Sequence, residues 1–336
     1  MTDWYVNPDA VGAGDGTSEA DAYTTLAAAE TAKQADITGT ESVVFLCSAT
    51  GDTADSTSCV ITGWTTDATH TITVKANTGR AHDGIYGNAS GAYKLEVTDN
   101  ECIDSRENYV DLDGIQFQYT FVATGANCIS MSSLDAGNAI NISNCIVVIN
   151  STNNGASGIV CSDTDGVFSL WNNLVYSTAS KPGTGINIGA ASSADIYNCT
   201  VYGEFDTNGI RETATGTVTA KNCISGNTDD DFSFGFDTVD YCASDDGDGT
   251  NSVAPSGASW ANEFTTPGSV FTVKDTSANI YHGGLDQDSD ALIPATDIVG
   301  TTRPSGANAV SIGAFEFVAA GGSVIPKIRY YNRRRR

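Results

Sequence analysis

The chain has 336 residues, a formal charge of −25 and only 17% charged side chains. So acidic a body repels nucleic acid and anionic membrane and fits a saline setting or loosely held divalent cations. No stretch approaches the ~18 apolar residues of a bilayer-spanning helix. Abundant Thr, Ser, Asn, Asp and Gly, with 7 prolines, describe many short strands and tight corners rather than long helices.

The first segment, 1–40, opens on a short strand, Trp4-Tyr5-Val6-Asn7-Pro8, followed by a Gly/Asp turn from Gly12 to Gly16. A helix is expected over about 22–35, where Leu26, Ala29 and Lys33 share a face and alanine recurs. Met1-Thr2-Asp3-Trp4-Tyr5 shows no basic segment leading into an apolar one, so no secretory leader is read. Strands follow at Val43–Cys47, Cys59–Gly63, Thr71–Lys75, Lys94–Val97 and Tyr109–Phe117, with long loops at 52–58 and 77–91.

One short phrase then returns five times. It reads Leu112-Asp113-Gly114-Ile115-Gln116-Phe117, Ile142-Ser143-Asn144-Cys145-Ile146-Val147 and Leu170-Trp171-Asn172-Asn173-Leu174-Val175. It reappears as Ile196-Tyr197-Asn198-Cys199-Thr200-Val201 and Ala220-Lys221-Asn222-Cys223-Ile224-Ser225. The third positions, 114, 144, 172, 198 and 222, draw slightly closer along the chain. A Gly or Asn there accepts a left-handed backbone and turns the chain sharply. The alternation resets at that corner, so Cys145, Asn173 and Cys199, then Val147, Val175 and Val201, point inward. Stacked ~4.8 Å apart, Asn144, Asn172, Asn198 and Asn222 form an amide ladder that satisfies polar groups at a buried corner.

A second series, with Ile129, Ile159, Ile186 and Ile210 at its centre, shrinks in step with the first. Two interleaved strand series on one drifting period mean stacked coils, and helical periodicity is absent. These phrases resemble the right-handed parallel β-helix superfamily, the pectate-lyase-like and phage-tailspike-like proteins. The fold expected is therefore all-β, with a parallel β-helix over 41–227, seven to nine coils in all, capped at its start by the helix.

Five of the nine cysteines, 128, 145, 161, 199 and 223, fall at inward repeat positions, as buried small apolar residues. No Cys/His spacing suits zinc, and the odd count argues against a complete disulfide framework. Unpaired thiols fit assembly in a reducing compartment.

After Asn227 the repeat is lost to the eye. Segment 228–318 begins acidic and Gly-rich; Asp246 and Asp248 are the candidate cation ligands, with calcium as the ion, although no Glu follows at EF-hand distance. Asp297-Ile298-Val299-Gly300-Thr301-Thr302-Arg303-Pro304 and Ile312-Gly313-Ala314-Phe315-Glu316-Phe317 resemble the closing module of many bacterial and phage β-helix proteins. That resemblance implies that Arg303 pairs with Asp297 or Glu316 to pin the end of the stack. Segment 319–336 is a Gly-hinged basic tail with Lys327, Arg329, Tyr330, Tyr331, Arg333, Arg334, Arg335 and Arg336. Setting its six cations aside from −25 leaves the body at −31.

The resemblance implies no single activity, since this fold carries lyases, hydrolases, adhesins and inert spacers. The expected role is a non-enzymatic structural or attachment protein of a virion or extracellular assembly: a spike, fibre or decoration subunit. The tail would anchor it to other subunits, in an acidic protein groove rather than on nucleic acid. A homotrimer is one arrangement that spikes imply. The alternatives are a polysaccharide lyase or glycoside hydrolase, and a bacterial surface adhesin. For an enzyme the candidate acids are Asp163, Asp165 and Glu204. Other acidic pairs are Asp111 with Asp113, and Asp195 stands alone; basic partners are scarce and no Ser/His/Asp arrangement is seen. Trp171, Tyr197 and Tyr202 are the candidate contacts for a sugar or a neighbouring subunit.

Overall fold

The computed structural model describes residues 1–121, 127–132, 139–151, 155–163, 165–179, 182–189, 193–213, 216–233, 235–305 and 310–317. The chain winds as a parallel β-helix with three sheets. The long sheet has nine strands, running from Thr2–Val6 and Val43–Cys47 through Ala139–Ser143, Val167–Trp171, Ser193–Tyr197 and Thr217–Lys221 to Thr238–Asp240. The second sheet has six, from Lys94–Thr98 to Ile224–Gly226, and the third has six, from Cys59–Ile61 to Asn208–Glu212. Six turns with a strand in all three sheets result among the described residues, fewer than the seven to nine expected; beyond them the second and third walls continue only as single bridges, such as those of Ala243 and Phe232.

The corner between the long and second sheets follows the repeated phrase. Asn144, Asn172, Asn198 and Asn222 all take φ between 51° and 55°, and Gly114 takes 74°. The parallel register pairs Ile142 with Leu170, Leu170 with Ile196 and Ile196 with Ala220, so the phrases overlie one another. Inside, Ile129, Ile159, Ile186 and Ile210 form one buried column, and all nine cysteines are buried and unpaired. At the last two corners the inward thiols stack: Cys223 donates its backbone N–H to Cys242 Sγ at 3.4 Å.

The repeat runs one copy further than the sequence reading allowed. Thr238–Asp240 pairs with the strand Thr217–Lys221, and the corner residue is Tyr241 at φ 52°, with Cys242 inward. A Tyr at a left-handed corner is uncommon, and it hid this copy.

The capping helix is shorter than expected, Leu26–Lys33. Its N-cap Thr25 accepts from Ala28 N–H at 3.1 Å, and Tyr23 is held back by a bridge to Val6. Leu26 and Ala29 cover the open first rung.

Among the described residues, 254–284, 297–305 and 310–317 lie against the flank of the stack, on the outer face of the second sheet. Outward-facing Ile146, Val148, Leu174, Tyr176 and Ile224 pack there with Trp260, Phe264, Phe271, Ile298, Ile312 and Phe315. The second sheet is therefore apolar on both faces, which explains the unbroken run Ile146-Val147-Val148-Ile149.

Candidate binding groove

The asparagine corner does more than satisfy itself. Asn144 Nδ2 donates to Asp113 Oδ1 at 2.6 Å, and Asn172 Nδ2 donates to Asn144 Oδ1 at 3.1 Å. Asn222 Nδ2 approaches Asn198 Oδ1 at 3.4 Å. Between Asn172 and Asn198 the flanking layer intervenes. Arg303 Nη2 donates to Asn172 Oδ1 at 3.1 Å and to Gly313 O at 2.9 Å. Its Nη1 meets Glu316 Oε2 at 3.3 Å and Ser311 O at 3.2 Å, all buried. Arg303 thus pairs with Glu316, as one of the two expected partners, but it pins the layer to the side of the coil. Asp297 accepts from Glu316 N–H at 3.0 Å instead; burial pushes its carboxyl upward despite the Arg303 charge nearby.

The same ladder straps a loop at both ends. Asn222 Nδ2 donates to Leu285 O at 2.8 Å, and Leu285 N–H donates back to Asn222 Oδ1 at 2.7 Å. At the far end Asn172 Nδ2 donates to Thr296 O at 2.8 Å. Residues 285–296 are thereby held over the outer face of the long sheet. Between loop and sheet lies a cavity of about 340 Å³ lined by Ser169, Trp171, Asp195, Tyr197, Gln287 and the stretch from Ala291 to Ala295. That volume suits a small ligand. Its floor follows from register: Trp171 pairs with Tyr197 and Ser169 with Asp195 on adjacent strands. Lys221, the register partner of Tyr197 on the next strand, donates to Asp290 Oδ2 at 2.7 Å and ties the loop's middle down.

The electrostatics of the groove are divided. Burial raises the Asp195 carboxyl, and the Asp290 charge raises it further. Burial also works against ionised Asp290, but the hydrogen bonds from Lys221 and Leu292 N–H and the Lys221 charge outweigh it and hold Asp290 low. Burial, with Asp290 and Asp195 nearby, pushes the Tyr197 phenol up, so it stays protonated and donates.

Two of the three expected aromatic contacts, Trp171 and Tyr197, meet in this groove. Tyr202 lies elsewhere, under the flanking layer, with ring centroids 5.5 Å from Phe271 and 5.9 Å from Phe264. The candidate acids are not brought together. Asp163 and Asp165 share one turn, where Asp165 N–H donates to Asp163 Oδ1 at 2.8 Å. Glu204 is exposed in the turn between Thr200–Tyr202 and Asn208–Glu212, at a different corner. Asp111 and Asp113 are engaged by Asn141 and by Ser143 and Asn144. Asp290 was missed because its partners stand about 70 to 100 residues earlier in sequence.

Asp246 and Asp248 do face a third carboxylate, Asp231, and one oxygen from each lies within 4.8 Å of the others. An all-oxygen set of this kind suits a hard cation. Asp231 is only 5% exposed. Burial and the Asp245 and Asp248 charges push its carboxyl up to about 7, so a proton relieves the repulsion there at mildly acidic pH. The basic tail, Lys327 to Arg336, lies outside the described residues. Comparison with family models, curated proteins and solved structures gives no match for this chain.

Proposed function

We propose that the protein is a non-enzymatic attachment β-helix of a virion or extracellular assembly, of the tailspike-like kind, and that the groove is its saccharide contact. One observation carries this reading. Trp171, half-buried beside the buried Tyr197, floors a cavity that also presents hydrogen-bonding Ser169, Asp195 and Gln287. Sugar rings present apolar C–H faces to aromatic planes and hydroxyls to such polar groups. The test is a glycan array probed with the full chain and with Trp171→Ala. Binding to a defined glycan that falls at least tenfold in the variant supports the reading. No binding to any glycan, or binding indifferent to Trp171, overturns it.

A hydrolase reading is favoured by one further feature. Asp195 lines the groove, and burial and the Asp290 charge raise its carboxyl, the direction a general acid needs. New reducing ends from a bound glycan, lost in Asp195→Asn, would establish it; binding without cleavage leaves the attachment role.

A further inference from the structure

We infer that the chain's own basic tail, Lys327 to Arg336, docks in this groove and competes there with the external ligand. Three observations argue for this occupant. The first is charge. Asp195 lies on the floor and Asp288 is exposed on the loop above it, while Lys221, the cation beside them, is already committed to Asp290. The tail brings Lys327, Arg329 and Arg333 to Arg336. Guanidinium groups also stack on aromatic faces, and the groove offers Trp171.

The second is reach. Glu316 N–H donates to Asp297 Oδ2 at 3.0 Å, and Asp297 follows the groove residue Ala295 by two positions. With 3.8 Å between consecutive Cα atoms, Phe317 stands within about 20 Å of the groove. Lys327 is ten residues beyond Phe317, a span of up to ~33 Å. Gly321 and Gly322 in that span are residue types that accept either sign of φ. A tether this short presents the tail at millimolar effective concentration, which favours the same chain over a second copy. The third is the apolar match. Leu292 is 59% exposed at the groove's edge, and Val324-Ile325-Pro326 immediately precedes the cations.

The inference rests on the reading of the groove as a ligand-binding face. It is tested on the full chain, with the photo-crosslinking residue p-benzoylphenylalanine at position 330. Unlabelled and ¹⁵N-labelled chains are mixed before irradiation, and adducts are mapped by mass spectrometry. The expected adducts join position 330 to the peptide around Trp171–Tyr197 or 287–295, within one isotope. Trp171→Ala, or 0.5 M salt, is expected to reduce them at least fivefold while thermal unfolding of the variant stays cooperative. Adducts spread over other acidic faces, or unaffected by Trp171→Ala, overturn the inference. Adducts joining labelled to unlabelled chains also overturn it, in favour of a second copy. Replacing Arg333 to Arg336 with Glu is expected to strengthen binding of any glycan found on the array at least fivefold. A glycan that binds equally well with and without these arginines overturns the competition but leaves the attachment role standing. Groove adducts in a protein that binds no glycan sink the attachment role alone.

Discussion

Asp231 is a carboxyl with too many like neighbours and too little water. Its folded-state value of about 7 lies above its ordinary 3.8, so the folded chain holds this proton more tightly than the unfolded one. Its contribution to stability is therefore complete below about pH 4 and is lost as pH rises to about 7. At 1.36 kcal/mol per unit, the ceiling is about 4 kcal/mol. Asp231→Asn is expected to flatten that slope, measured as the difference between wild-type and variant urea unfolding at pH 4.5, 6 and 7.5; parallel curves would refute it. His82 acts in the opposite sense. It is buried, donates from Nε2 to Asn144 O at 2.6 Å and accepts Gly84 N–H on Nδ1 at 3.2 Å, so it is neutral. Burial lowers its pKa from 6.5, despite Asn144 O, Asp83 and Asp113. Its contribution is present above pH 6.5 and lost as pH falls through the folded value. His82→Gln is expected to lose this acid-side slope in the same titration.

At the scale of the element, Asn222 both turns the chain at its corner and holds Leu285, the near end of the loop 285–296. Two substitutions separate these roles. Asn222→Gly keeps the left-handed corner, φ 53°, but loses the amide that holds Leu285. Asn222→Ala loses the amide and also strains the corner, at a further cost of about 1 kcal/mol. Each is expected to lower stability by about 1–3 kcal/mol and to speed amide exchange at Leu285. Unchanged exchange at Leu285 would show that the loop is held by other contacts. How far this element was legible follows from the same residues. The left-handed corner at 144, 172, 198 and 222 was visible because only Gly and Asn take such a turn cheaply, and the inward Ile and Cys columns followed from alternation. The groove's floor was half visible, as Trp171 and Tyr197 on outward positions. Its wall was not: Leu285, Asp290 and Thr296 meet the coil through contacts some 60 to 120 residues distant in sequence, and local pattern carries no trace of them. Asp231 escaped for a related reason, being 15 residues from Asp246. The flanking layer did leave a sign, the uninterrupted Ile146-Val147-Val148-Ile149, since a strand wet on one face would alternate.

Across the whole molecule, the second sheet joins two cores that an ordinary solenoid would not join. A bare stack gains stability turn by turn, and damage to one flank leaves the rest nearly untouched. Here Ile146, Val148, Leu174 and Tyr176 project outward from the coil into the layer built by Trp260, Phe264 and Phe271. Phe271 is 1% exposed, with ring centroids 5.2 Å from Tyr176 and 5.3 Å from Phe264. Its replacement by Ala removes a ring at the seam and is expected to cost about 3–5 kcal/mol. If layer and coil fold as one unit, calorimetry of Phe271→Ala shows a single transition moved to lower temperature. In that case the layer does not leave first, because its departure exposes a large apolar face of the coil to water at about 25 cal/mol per Å². A first transition at low temperature, with dye binding to the uncovered face and a second transition at the wild-type position, would instead show that coil and layer are separately stable.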